Sequence, residues 1–137
     1  RVATLGLGIT LRPRNAQMAA RLNEWPLIAL IDGFVVPKLT LESLPEWQSA
    51  VSRPELALMP TLETKDVYNP GAMVELGEAM QASLGPRIIA LRIGGNDLMG
   101  CLGLRRNHWL PGFAYGFIET FVPTLTREAV MAAQDSA

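Results

Sequence analysis

The sequence is poor in the residues that build most ready-made sites. It holds one cysteine, Cys101, one histidine, His108, and two lysines, Lys38 and Lys65, in 137 residues. A single cysteine cannot close an internal disulfide, which fits a reducing compartment and makes the cytoplasm the expected location. A lone histidine with no second histidine or thiol beside it argues against a zinc site. His108, among Arg105, Arg106 and Asn107, reads as an exposed loop residue, and Cys101 as a small packing residue. Charge is balanced: 12 basic and 13 acidic residues leave a net −1, and the basic ones are dispersed along the chain. That pattern gives no footprint for nucleic acid. No apolar run reaches the roughly 20 residues that span a bilayer; Glu119 and Pro123 break the most hydrophobic late stretch. Nothing reads as a signal peptide. The chain opens at Arg1, directly before a strand-like run, and is expected to begin inside a longer protein.

What is present is a globular composition, 49% apolar and 18% charged, which excludes a disordered chain. Four apolar runs recur about 25 to 30 residues apart with helix-like stretches between them, the spacing of successive βα units in a parallel sheet. The first, Val2 to Arg12, stops at Pro13. Asn15 then caps a helix with Met18, Leu22 and Trp25 on one inward face, before Pro26. A second strand spans Ile31 to Val36. Thr40 caps a helix bearing Leu41, Leu44, Trp47 and Val51, and Pro54 stops it. The third strand, Leu56 to Leu62, is apolar almost throughout, as expected when both faces are covered. Asn69 and Pro70 open the best-defined helix, with Met73, Leu76, Met80 and Leu84 inward, ended by Gly85-Pro86. The fourth strand, Arg87 to Ile93, runs into a Gly94-Gly95-Asn96-Asp97 loop. Beyond Gly103 the pattern weakens; the aromatic stretch from Trp109 to Phe121 reads as a packing surface, and a capped helix begins at Thr126. The division expected is a barrel-like domain over 1–107 and a divergent tail over 108–137.

Each run ends near a residue able to bind a carboxylate or a metal: Arg12, Lys38, Glu63 and Asp97. In parallel sheets the chemistry sits beyond the carboxyl ends of the strands. Glu63 and Asp97, closing successive strands, can supply hard oxygen ligands for magnesium or manganese, or can cap a helix or pair with a cation. Arg12 offers a planar fork for a substrate carboxylate, or a rim salt bridge. Lys38 can neutralise substrate charge, act as a Schiff-base amine, or pair with Glu63 or Asp32. Asn96 and Thr64 shape turns or bind substrate.

The segments IDGFVVPK, LMPTLET and ALRIGGNDLMGCLG, in that order and spacing, resemble the HpcH/HpaI aldolase and citrate lyase beta-subunit superfamily, most closely its branch described as TIM-barrel C–C bond lyases. The resemblance is strongest from Ile31 to Asn107. It implies a (β/α)8 barrel enzyme that uses a divalent metal, usually magnesium, to make or break carbon–carbon bonds beside a keto-acid or acyl-thioester enolate. It implies Glu63 and Asp97 as metal ligands and Arg12 as the substrate-carboxylate arginine, with Lys38 on the rim. The partner implied is a small keto or hydroxy acid, or an acyl-coenzyme A thioester. A whole barrel takes about 250 residues; the pattern here supplies about four strands, resembling the third to sixth of the family barrel. The expected fold is therefore a partial (β/α)8 TIM barrel whose two sheet edges need a second copy to cover them, hence a homo-oligomer. An inactive remnant or assembly module of the same family is the alternative.

Overall fold

The computed structural model describes residues 8–103. Four strands form one parallel sheet in sequential order: β1 (Thr10–Leu11), β2 (Gly33–Val36), β3 (Ala57–Leu62) and β4 (Arg92–Ile93). Helices α1 (Ala16–Asn23), α2 (Leu44–Ala50) and α3 (Pro70–Leu84) make the crossovers, and α4 (Gly95–Cys101) follows the last strand. This is the expected α/β alternation, and the described residues hold four of the eight βα units of a TIM barrel. The start of the first expected strand and everything expected of residues 104–137, including His108, the aromatic stretch and the late helix, lie outside the described residues.

Registry across the sheet separates its two faces. Phe34 pairs with Leu58 and Val36 with Pro60, and these side chains join Leu62 on the face covered by helices. Thr10, Gly33, Val35, Ala57, Met59 and Thr61 fall on the other face, because side chains alternate along a strand. Gly33 is demanded by the tight approach of β3: a Cβ there would sit 2.2 Å from the Ala57 carbonyl oxygen.

The β3–β4 ladder is interrupted, and the reason lies in the sequence. Hydrogen bonds from Ile89 N to Leu58 O and from Gly94 N to Leu62 O show that even-numbered residues of β3 point their backbone groups toward β4. Pro60 is one of these, and it has no N–H to give. Leu58 is bridged to Ile88, yet Thr61 pairs with Arg92, so the register slips by one residue across the proline. Ile88 and Leu91 both pack on the core although they stand an odd number of positions apart, as such a bulge requires. The expected strand Arg87 to Ile93 is therefore shortened to its last two residues.

Caps decide the helix boundaries. Asn15 Oδ1 accepts from Met18 N at 2.9 Å to open α1, and Asn69 Oδ1 accepts from Ala72 N at 3.3 Å to open α3. Helix α3 buries Met73, Leu76, Met80 and Leu84, the face expected from their spacing. Thr40 instead forms a turn ahead of α2: its Oγ1 accepts from Ser43 N at 3.1 Å, and Ser43 Oγ accepts from Thr40 N at 3.0 Å. Leu41 is exposed by that turn, while Leu44, Trp47 and Val51 are buried. Helix α1 departs from expectation too. It buries Ala16 and Ala19, whose small side chains let it lie close to its neighbours, and packs Leu22 against the core as expected, but leaves Met18 45% exposed; Trp25, two residues beyond its end, is 56% exposed. Arg87 ties α2 to β3 by donating from Nε to Leu56 O at 3.0 Å and from Nη1 to Val51 O at 2.6 Å. Desolvation lowers its pKa, opposed by nearby Glu55, and the guanidinium stays charged.

Candidate functional site

The carboxyl ends of the strands gather the four residues singled out in the sequence. Arg12 stands just past β1, Lys38 just past β2, Glu63 just past β3, and Asp97 in the first turn of α4 after β4. Two are joined directly: Arg12 Nη2 donates to Glu63 Oε1 at 2.8 Å. The same oxygen accepts the backbone N–H of Lys38 at 3.1 Å. The Lys38 ammonium reaches the other way, to Asp97 Oδ1 at 3.2 Å. Lys38 thus bridges the two carboxylates, one through its main chain and one through its side chain.

That bridging has a backbone cause. Lys38 has φ of 50°, the left-handed region that non-glycine residues seldom adopt. Lys38 follows Pro37 and precedes Leu39, whose N–H returns to Thr61 O at 3.3 Å. The chain therefore turns sharply between two fixed points, and the turn aims the Lys38 N–H at Glu63. Strain of this kind costs on the order of 1–2 kcal/mol and survives where surrounding structure fixes the conformation. The sequence reading offered Glu63 or Asp32 as ion-pair partners for Lys38. The structure gives Lys38 to Asp97, and Asp32 instead accepts Ile9 N at 2.7 Å, stitching β1 to β2.

Glu63 is the anchor of the group. It is 5% exposed, whereas the side chains of Arg12, Lys38 and Asp97 are 50%, 62% and 43% exposed. Its carboxylate lies against Gly94, where an added Cβ would come within 2.3 Å of Glu63 Cβ and 2.4 Å of Oε2. The glycine pair at 94–95, expected to open a loop, instead brings the Gly94 backbone against the Glu63 carboxylate, and the chain from Gly95 onward coils into α4. Asn96 and Asp97 therefore begin a helix. Thr64 serves its turn, Oγ1 lying 3.2 Å from Asp66 Oδ2. Cys101 is exposed rather than packed.

The arrangement retains capacity for a ligand. Among the described residues, Glu63 Oε2 and Asp97 Oδ2 have no hydrogen-bond or ion-pair partner. Each carboxylate thus keeps one oxygen for a cation or a substrate, and two hard oxygens are a donor set that suits magnesium or manganese completed by water and substrate. No cluster of three or more acid, histidine or cysteine ligands exists among the described residues. Thr61, missed in the sequence, faces the same side of the sheet as Glu63; its buried Oγ1 has no partner among the described residues. Its position two before Glu63 on an alternating strand is the signal that could have found it. Gly94 was legible only as a loop glycine, because Glu63, which its added Cβ would meet, follows another strand.

Arg12 also lines a cleft of about 810 Å³ with Arg14, Met18, Arg21, Leu22 and Trp25. Arg12, Arg14 and Arg21, close together in the sequence, thus bring their positive charge to one cleft.

A family model described as C–C bond lyase of the TIM-barrel fold matches residues 6–134. No curated protein and no solved structure matches the chain. Among the described residues, no helix is long and apolar enough to cross a membrane.

Proposed function

This chain belongs to the C–C bond lyases of the TIM-barrel fold, and from that premise we propose that it cleaves a carbon–carbon bond of a small hydroxy or keto acid, or of an acyl-coenzyme A thioester, with a divalent cation at Glu63 and Asp97. The observation that supports this most is the convergence of Arg12, Lys38, Glu63 and Asp97 on one rim through three polar contacts. Opposite charges alternate across the group, so an anionic substrate and a cation can enter together without leaving net charge behind.

Arg12 keeps guanidinium donors beyond the Nη2 used on Glu63 and can fork onto a substrate carboxylate. Glu63 holds Arg12 in place and is itself held by the Lys38 N–H, so the clamp is positioned before substrate arrives. The Lys38 ammonium lies beside Asp97 and offsets negative charge that develops as the bond breaks. A magnesium or manganese ion, when held by Glu63 and Asp97, supplies a Lewis acid for the carbonyl next to the breaking bond and for the enolate charge. An ammonium held in an ion pair suits charge neutralisation better than attack as a free amine, which favours this reading over Schiff-base chemistry. The two outer strands, β1 and β4, each lack a neighbour on one side among the described residues. A second copy of the chain is the proposed cover.

Calorimetric titration with manganese, followed by an activity screen over keto acids and acyl-coenzyme A esters, tests the proposal. Wild type should bind the ion, and Glu63→Gln with Asp97→Asn should not. Unchanged binding in that double variant, or borohydride trapping of pyruvate on Lys38, would replace the metal reading.

A further inference from the structure

The main chain and the side chain of Lys38 serve different carboxylates, and they are held with unequal force. The peptide is fixed: its N–H donates to Glu63 Oε1 at 3.1 Å, Pro37 precedes it, and the next N–H, that of Leu39, returns to Thr61 O. The ammonium is not. Among the described residues it has one partner, Asp97 Oδ1 at 3.2 Å, and both side chains are well exposed, a setting in which an ion pair contributes little. The other ion pair of the rim differs. Arg12 donates at 2.8 Å to a carboxylate that is 3% exposed, where water competes far less.

We propose that Lys38 is an exchangeable counter-ion of Asp97: its ammonium holds this carboxylate until a divalent cation takes it, and then swings to the acid group of the substrate. The proposal rests on the metal reading of Glu63 and Asp97. An ammonium on Oδ1 and a divalent ion on Oδ2 of one carboxylate repel each other more strongly than an exposed ion pair can offset. Lys38 gives way, because its charge is half that of the ion and its stem is flexible. Arg12 stays, because Glu63 keeps Oε2 for the ion while Oε1 remains with the guanidinium. The swing needs side-chain torsions alone: the peptide remains on Glu63 and the left-handed turn is unchanged. Off Asp97, the ammonium lacks a counter-charge and attracts a substrate carboxylate that it would otherwise ignore. The rim therefore has one permanent cation, Arg12, and one conditional cation, Lys38. Metal and acid assist each other's binding, and linkage makes the assistance reciprocal.

Lysine is scarce enough to make the test direct. The chain has two, Lys38 and Lys65, so isotopic labelling of lysine gives two side-chain Cε resonances, assigned with Lys38→Arg. Magnesium added to the full chain should shift the Lys38 resonance and move that of Lys65 much less. Propanoate, an acid with no second group to chelate, should shift Lys38 further when magnesium is present and not without it. In manganese calorimetry, Lys38→Met should bind the ion on the order of tenfold more tightly than wild type, because the competing charge is gone. Lys65→Met removes an exposed cation that has no ion pair among the described residues and should stay within about twofold of wild type. A Lys38 resonance unmoved at saturating magnesium, or Lys38→Met binding manganese no more tightly than wild type, would overturn the exchange. A propanoate shift of equal size without magnesium would overturn the coupling to substrate. Under the same conditions, loss of manganese binding in Glu63→Gln with Asp97→Asn leaves the metal reading standing whatever Lys38 does, whereas unchanged binding in that variant removes both.

Discussion

Replacing Gly94 by alanine should damage the rim more than its single methyl group suggests. The backbone at Gly94, φ −87° and ψ 73°, is open to alanine, so any effect is steric rather than conformational. The new Cβ would lie 2.3 Å from Glu63 Cβ and 2.4 Å from Oε2. Ordinary carbon contacts are about 3.5–4.0 Å, so either Glu63 or β4 must move by more than about 1 Å. Glu63 has little room, because its side chain is 3% exposed and its Oε1 is held by Arg12 and by the Lys38 N–H. Overpacking of this kind costs about 1–3 kcal/mol, and partial loss of the two hydrogen bonds to a charged oxygen adds about 1 kcal/mol or more. A fall in melting temperature on the order of 10 °C is expected, measured by circular dichroism. Gly100→Ala is the control, since nothing lies within 4 Å of its added Cβ; in helix α4 it should stabilise by about 0.5–1 kcal/mol. A Gly94→Ala protein as stable as wild type, or less perturbed than Gly100→Ala, would refute the close approach.

Other changes test other parts. Lys38→Gly should be more stable than Lys38→Ala by about 1 kcal/mol in urea unfolding, because both lose the ion pair but only glycine relieves the positive φ. Tyr68 donates to Leu98 O at 2.7 Å, and desolvation, with a smaller contribution from Cys101, raises its pKa. The folded state therefore retains the phenol proton longer than the unfolded chain, so stability should fall as pH climbs from the ordinary tyrosine value of about 10 toward the raised one; Tyr68→Phe should lose this part of the alkaline slope in a pH series of melts. Asn69→Ala should cost about 1 kcal/mol by removing the cap of α3, read from the denaturation midpoint.

The order of strands and the boundaries of α3 were legible because local signals and burial agree there. Asn69, Pro70 and the apolar spacing of Met73, Leu76, Met80 and Leu84 all specify one helix, and it packs as they require. Helix α1 was legible only at Leu22, because the rest of its inward face is made of Ala16 and Ala19, which carry little hydrophobic signal, while the larger Met18 and, beyond the helix, Trp25 sit in a cleft. The rim residues could be picked out because strand ends are marked by proline, glycine and charge. Their pairing could not: which cation meets which carboxylate depends on the left-handed turn at Lys38 and on the approach of Gly94, and both are set by neighbouring strands.

The missing N–H of Pro60 works as a register key for the rim. Had the ladder continued from the Leu58–Ile88 bridge without a slip, Leu91 would stand opposite Thr61 and Arg92 would turn toward the helices. With the slip, Leu91 packs on the core and Arg92 faces the same side as Thr61. One absent hydrogen on β3 therefore selects the polarity of the next strand's inner surface, presenting a cation where an aliphatic side chain would otherwise stand.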